Sequence, residues 1–217
     1  YYLYAIFEEG GFRGLEDAFL SWSRPFGAPF DLSVGQFQVS DALFKRELRL
    51  ERFDYDIYKA RVGEVRANLT YDRGIVVGFT LPGDVDSVFQ IVNGNGIAEA
   101  EEWGGFDNDD HKNLSLRFSR QIGKTARLGL FGYWGREDGA TGRTNELFYF
   151  GPDLFLDLGH KWQINAQYLE RRDDNPFFVE APWEKVKTRG GFAELHFLPK
   201  GADGPWALTA LYSRVDS

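Results

Sequence analysis

Asn113-Leu114-Ser115-Leu116-Arg117-Phe118-Ser119-Arg120-Gln121 puts Leu114, Leu116 and Phe118 on one side of the chain and Ser115, Arg117, Ser119 and Gln121 on the other. A side-chain period of two belongs to a β-strand with one apolar and one polar face. The same rule runs through Ala126, Leu128, Leu130, Gly132 and Trp134, through Trp162, Ile164, Ala166 and Tyr168, and through Trp206, Leu208, Ala210 and Tyr212. Each of these three rows has Trp or Tyr at an end. A sheet packed on a soluble core has no physical need for amphipathic rings there, whereas Trp and Tyr settle at the lipid headgroups on either side of an apolar band. The pattern predicts an all-β chain folded as a transmembrane antiparallel up-and-down β-barrel, its apolar row toward lipid and its polar row toward a wet interior.

Composition agrees with this reading and narrows the alternatives. The chain has 217 residues, 43% hydrophobic and 17% aromatic, with 25 Gly. Nowhere does it approach the roughly 20 apolar residues of a membrane-spanning helix, so a bilayer crossing would use strands of only about 9–11 residues each. A mean hydropathy of -0.39 suits a barrel, because the lumen-facing half of every strand is polar. Cys is absent, which removes disulfides, thiolate nucleophiles, Cys-based zinc sites and haem attachment through Cys-x-x-Cys-His. A net charge of -8 argues against nucleic acid, whose phosphates demand a basic footprint. The chain has no Met and opens on Tyr1-Tyr2-Leu3-Tyr4, which reads as a processed or partial product.

Candidate strands lie at 1–8, 15–24, 31–39, 66–72, 74–82, 86–93, 113–121, 125–135, 146–158, 161–171, 189–198 and 205–214, within one domain spanning 1–217. Short turn signals such as Asp72-Arg73-Gly74, Leu81-Pro82-Gly83-Asp84 and Gln121-Ile122-Gly123-Lys124 alternate with longer polar loops at 94–112, 136–145, 172–188 and 199–204. Brief turns on one rim and long loops on the other suit a barrel whose rims face different compartments.

Ser40 to Arg61 breaks the strand pattern, being dense in both charges, and reads as a loop with a turn of helix after Ser40. Charge runs usually face water, so a solvated rim loop is the expected state. The alternative is a segment folded into the lumen as a constriction, with Lys45, Arg46, Arg49 and Arg52 facing Glu47, Glu51, Asp54 and Asp56.

Catalytic signals are weak, and the chain reads as a non-enzyme. His111, His160 and His196 fall in a loop, a turn and a polar strand face, with no Gly-x-Ser-x-Gly, His-x-x-His or phosphate-cradling loop nearby. Ser119 or Ser213 with His196 lacks a third orienting group. Asp107, Asp109 and Asp110, with Glu99, Glu101 and Glu102 before them, form the one weak Ca²⁺ candidate. They lack the ligand spacing of an EF-hand, so a hydrated loop is expected, and no motif assigns the chain a cofactor of its own.

Several stretches carry a resemblance. Val34-Gly35-Gln36-Phe37 followed by Phe44 and Glu47, then Gln90-Ile91-Val92-Asn93-Gly94-Asn95-Gly96, then Phe106-Asp107-Asn108-Asp109-Asp110-His111-Lys112 leading to Arg117, resemble outer-membrane porins of the phosphate-selective O/P-type superfamily. Tyr149-Phe150-Gly151-Pro152-Asp153 and the stretch from Tyr168 to Pro176 look like a subfamily of large bacterial barrels, some of which house multihaem cytochromes. The resemblance implies a Gram-negative outer membrane, a monomer or homo-oligomer, and barrels of roughly 16 strands or more. It also admits a multihaem cytochrome or another envelope protein as partner. Twelve candidate strands, and an end at Val215-Asp216-Ser217 where such barrels usually close on an aromatic, lead us to expect an incomplete portion of a larger barrel.

On this reading Ser115, Arg117, Ser119, Gln163, Asn165, Gln167, Glu194 and His196 line the interior. Arg117 fixes the orientation, because a cation facing lipid near the midplane would cost about 2–4 kcal/mol. The function expected is passive diffusion of small hydrophilic solutes or ions through a water-filled channel. A barrel sheathing a partner such as a multihaem cytochrome, and a soluble β-sandwich that binds ligands or proteins, are the alternatives.

Overall fold

The computed structural model describes residues 2–8, 11–40, 55–97, 107, 109–201 and 204–217, with backbone alone at 2, 4–8 and 11–16. Eleven antiparallel strands form one sheet in chain order: β1 (Tyr2–Glu8), β2 (Gly11–Ser23), β3 (Phe30–Gln38), β4 (Tyr71–Leu81), β5 (Val85–Val92), β6 (Asn113–Ile122), β7 (Ala126–Asp138), β8 (Thr144–Leu158), β9 (Trp162–Asp173), β10 (Val186–Phe197) and β11 (Leu208–Asp216). Each strand pairs only with its neighbours in sequence, and among the described residues β1 and β11 do not pair with each other. The helical content among the described residues is a 3-10 turn at Pro25–Gly27 and one helical turn, α1 (Asp56–Lys59), and no helix is long and apolar enough to cross a membrane.

Residues 24–29, 82–84, 123–125 and 159–161 turn the chain at one end of the sheet. Residues 39–70, 93–112, 139–143 and 174–185 connect the strands at the other. We call these the short-turn and long-loop ends.

One expected strand is absent. Residues 66–72 alternate in polarity, with Ala67, Leu69 and Tyr71 buried, yet 66–70 makes no ladder and Asp72-Arg73-Gly74 lies inside β4. The reason is where the backbone donors go. The Arg66 and Ala67 amides donate to the Glu137 carboxylate and Leu69 N–H donates to the Tyr58 carbonyl, while the Asn68 side chain accepts from Thr70 N–H at 2.8 Å. Donors bound to side chains and to their own loop cannot also serve a neighbouring strand.

The two faces of the sheet differ in the opposite sense to a soluble sheet. On one face Leu128 and Leu208 are 52% and 65% exposed, and Leu116, Leu130, Phe148, Phe150 and Leu195 are exposed beside them. On the other face Asn113, Ser115, Ser119, Asn165 and Gln167 are buried. Residues 55–70 lie against this inner face toward the long loops. Tyr55, Ile57, Tyr58, Val65, Ala67 and Leu69 join Val88, Val92, Phe131, Tyr133, Leu147, Tyr149 and Leu169 in one hydrophobic cluster, with Phe19, Phe192, Leu211 and Val215 packed on it. Side chains from β2 to β11 meet around one short segment, so the sheet curls about it.

Among the described glycines the tightest is Gly151, where an added Cβ would lie 1.8 Å from the Tyr168 carbonyl oxygen across the β8–β9 seam. The ladder passes from Phe150↔Glu170 to Asp153↔Gln167 in an unchanged register with no pair at Gly151 or Pro152, and Pro152 brings no N–H to it. At Gly132 the nearest atom to an added Cβ is 3.9 Å away. We expect Gly151→Ala to force β8 and β9 apart at a cost of about 1–3 kcal/mol. Gly132→Ala should leave the thermal unfolding midpoint nearly unchanged, and equal shifts in the two variants would contradict this account of the seam.

Candidate functional site

The inner face holds two zones. Toward the long-loop end, residues 55–70 are fastened to the wall by three sets of bonds. Arg171 and Asp173, both with fully buried side chains on β9, pair through Nε–Oδ2 at 2.6 Å and Nη2–Oδ1 at 2.8 Å. The Arg171 Nη1 donates to the carbonyls of Ala60 at 2.7 Å and Ala67 at 3.2 Å and to the Tyr149 hydroxyl at 2.7 Å, and the guanidinium lies over the Tyr149 ring. The planar fork suits this task, since one edge takes a carboxylate and the other reaches backbone carbonyls. Asn145 completes the set, donating to Asp173 Oδ1 at 3.1 Å and accepting from Asn175 N–H at 2.8 Å.

On β7, the Glu137 carboxylate accepts the amides of Arg66 at 2.9 Å and Ala67 at 3.1 Å. The third set joins the helical turn to β9 and β10. Tyr55 stacks on Phe192 with ring centroids 3.5 Å apart and donates its hydroxyl to Glu194, and the Tyr58 hydroxyl donates to Gln167. These bonds help a polar wall to be buried, because Arg171, Glu137, Glu194 and Gln167 each meet a partner from the segment.

The solvated-rim expectation for Ser40 to Arg61 therefore fails over its described part, since Tyr55, Ile57 and Tyr58 are buried against the wall. Asp56 is exposed and pairs with Lys59 at 3.2 Å. Lys45, Arg46, Glu47, Arg49, Glu51, Arg52 and Asp54 lie outside the described residues.

Toward the short-turn end the inner face keeps its polar side chains without such a cover among the described residues. Arg117 on β6 grips the Asp153 carboxylate of β8 with Nε, at 3.1 Å, and Nη2. His196 on β10 faces Thr209 Oγ1 through Nδ1 at 2.8 Å and Glu194 Oε2 through Nε2 at 3.3 Å, so neither Ser119 nor Ser213 hydrogen-bonds it. Gln163 lies opposite His196 and Asn165 opposite Glu194. Ser115, Arg117, Ser119, Gln163, Asn165, Gln167, Glu194 and His196 thus share one face, as their parity required, but in two settings. Gln167 and Glu194 hold the segment, while Arg117, Gln163 and His196 stand below it. A cavity of about 580 Å³ near the short-turn ends of β3 to β5 adds Arg24, Asp31, Thr80 and Asp86 to the polar groups there.

In the acidic loop Glu99, Glu101 and Glu102 lie outside the described residues, and two of its aspartates are taken up by neighbouring groups. Asp107 accepts from Lys112, and Asp109 accepts the amides of His111 at 2.8 Å and Asp138 at 3.2 Å. Burial pushes the Asp109 carboxyl up against the pull of those amides. Asp110 is exposed, and no group of three ligating side chains among the described residues is placed to hold a metal ion.

Arg171, Glu137, Tyr55 and Tyr58 were not singled out from sequence. For Arg171 the signal was present: it shares the odd-numbered parity of Gln163, Asn165 and Gln167, which made it an inward charge in need of a partner.

Arg171→Met should destabilise the protein by about 3–5 kcal/mol, because it strands the buried Asp173 carboxylate. Adding Asp173→Asn should recover a substantial part, and equal denaturant midpoints for the single and double variants would contradict the anchor. Glu137→Ala should cost about 1–3 kcal/mol by leaving two amides without an acceptor, measured in the same way.

Compared with protein-family models, curated proteins and solved structures, the chain matches none.

Proposed function

We propose that this chain forms the wall of a transmembrane β-barrel in a bacterial outer membrane, and that its polar inner face lines a path for small hydrophilic solutes or ions. The observation that carries the proposal is the reversed burial: an exposed apolar face backs a buried polar one. Water penalises such an arrangement and hydrocarbon favours it.

The extent of the apolar face supports the same reading. Outward residues are apolar from Phe148 to Leu158 on β8 and from Ala126 to Trp134 on β7, close to the about 9–11 residues a tilted strand needs. Beyond that run the outward positions turn charged at Arg136, Glu146, Glu170, Arg172, Lys187 and Arg189. Aromatic rings stand near both limits, with Trp22, Trp162 and Trp206 toward the short turns and Trp134, Tyr168 and Tyr212 toward the long loops.

Residues 55–70 act as the inward constriction of this path. Below them Asp86, Asp153 and Asp157 outnumber Arg117 and Arg127 on the inner face, which favours cations over anions. The resemblance to phosphate-selective porins agrees with a porin-type wall, and the acidic balance argues that this chain differs from that group in its ion preference.

Purified protein added to a planar bilayer should give stepwise conductance, with a reversal potential in a KCl gradient on the cation-selective side. Insertion with no conductance would favour a sheath around a partner, and recovery of the protein in a detergent-free supernatant would contradict the membrane reading. Leu130→Arg should reduce membrane stability by about 2–4 kcal/mol, whereas Gln163→Arg should be tolerated and shift selectivity toward anions. Equal loss from the two substitutions would contradict the assigned faces.

A further inference from the structure

The outward face carries one built feature that a plain hydrocarbon surface does not require. Where the β8–β9 ladder lacks pairs at Gly151 and Pro152, a groove of about 230 Å³ opens, lined by Phe148, Phe150, Pro152, Tyr168, Glu170 and Arg172. Phe148 and Phe150 lie nearly parallel, with centroids 6.3 Å apart and planes 11° apart, and form one apolar wall. Tyr168 lies along the other strand.

At the long-loop end of this groove three cations gather on one carboxylate. Glu170 accepts from Arg172 at 2.7 Å, Lys187 at 2.7 Å and Arg189 at 3.2 Å. Strand pairing sets this juxtaposition, since Arg172 stands opposite Phe148 on β8 and opposite Lys187 on β10, and Glu170 stands opposite Phe150 and Arg189. A guanidinium offers five N–H donors and an ammonium three, so two carboxylate oxygens cannot occupy them all. The cluster is therefore a net cationic patch on a chain of net charge -8. Arg172 and Arg189 are exposed, and their unspent donors face the outside at the edge of the apolar belt.

We infer that this groove and its cationic rim form a binding site for a phospholipid of net negative charge, with an acyl chain along Phe148, Phe150, Pro152 and Tyr168 and the phosphate among Arg172, Lys187 and Arg189. The assignment rests on the membrane reading above, because it takes the apolar face to lie against lipid. Charge complementarity selects the occupant: a neutral lipid would fill the groove but leave the rim unmatched, and a free phosphate would use the rim but not the groove.

The full chain would be purified in a neutral detergent and examined by native mass spectrometry with phosphatidylglycerol, phosphatidylcholine or inorganic phosphate. It would also be floated with vesicles of pure phosphatidylcholine. Phosphatidylglycerol should be retained at least about tenfold over phosphatidylcholine, and the triple variant Arg172→Gln, Lys187→Gln, Arg189→Gln should remove that preference while keeping the β-sheet circular dichroism signal. Equal retention of the two lipids, or an unchanged preference in the variant, would overturn the site, as would phosphate binding with no retained lipid. Flotation with phosphatidylcholine separates the two claims. A chain that floats but shows no lipid preference loses only this site, and one that floats with no vesicle loses the membrane reading as well.

Discussion

Every strand of this sheet must satisfy two surroundings at once, and the side-chain period of two is what permits it. A shift of one residue in any register would move charged and amide side chains onto the apolar face and aliphatic ones onto the polar face. The pairing is continuous from β6 to β8, so Phe118, Leu130 and Pro152 line up across three strands while Ser119, Gly129 and Asp153 line up on the reverse. The apolar belt, the polar interior and the rims of rings and charges all follow from that constraint.

A polar interior creates its own difficulty, because buried amides, carboxylates and guanidinia are costly without partners. The fold meets it by turning residues 55–70 inward. Arg171 links Asp173 to the carbonyls of Ala60 and Ala67, and Glu137 takes the amides of Arg66 and Ala67, so wall and segment satisfy each other. The segment's apolar side chains then cover Tyr133, Leu147 and Leu169. Toward the short turns no such segment covers the wall among the described residues, and inner groups pair with one another, as Arg117 does with Asp153. One strand face thus seats residues 55–70 toward the long loops and carries mutually paired polar groups toward the short turns.

Much of this architecture was legible in the sequence for a physical reason: alternation is a local property, and it dictates face. Ser115, Asn165 and His196 could be assigned inward without any knowledge of tertiary structure. The misread stretch is equally instructive. Ala67, Leu69 and Tyr71 alternate as a strand would, and their side chains are buried as a strand's would be. Whether the backbone joins a ladder depended instead on Glu137, a residue seventy positions away that takes its amides. The seat for residues 55–70 was illegible for the same reason, since the bonds from Arg171 to Ala60 and from Tyr55 to Glu194 join positions with no sequence proximity. The run of charges that suggested a solvated loop hid Tyr55, Ile57 and Tyr58, whose burial outweighs the polarity around them.

The central claim is the direction in which the two faces look, and the absence of native Cys makes it directly measurable. Leu128→Cys and Gln163→Cys, each labelled with a small fluorophore in reconstituted vesicles, would be exposed in turn to lipids brominated along their acyl chains and to an aqueous quencher. The account predicts that the label at 128 is quenched by the brominated chains and protected from the aqueous quencher, and that the label at 163 behaves in the reverse way. A label at 128 open to water together with one at 163 quenched from the acyl chains would contradict it.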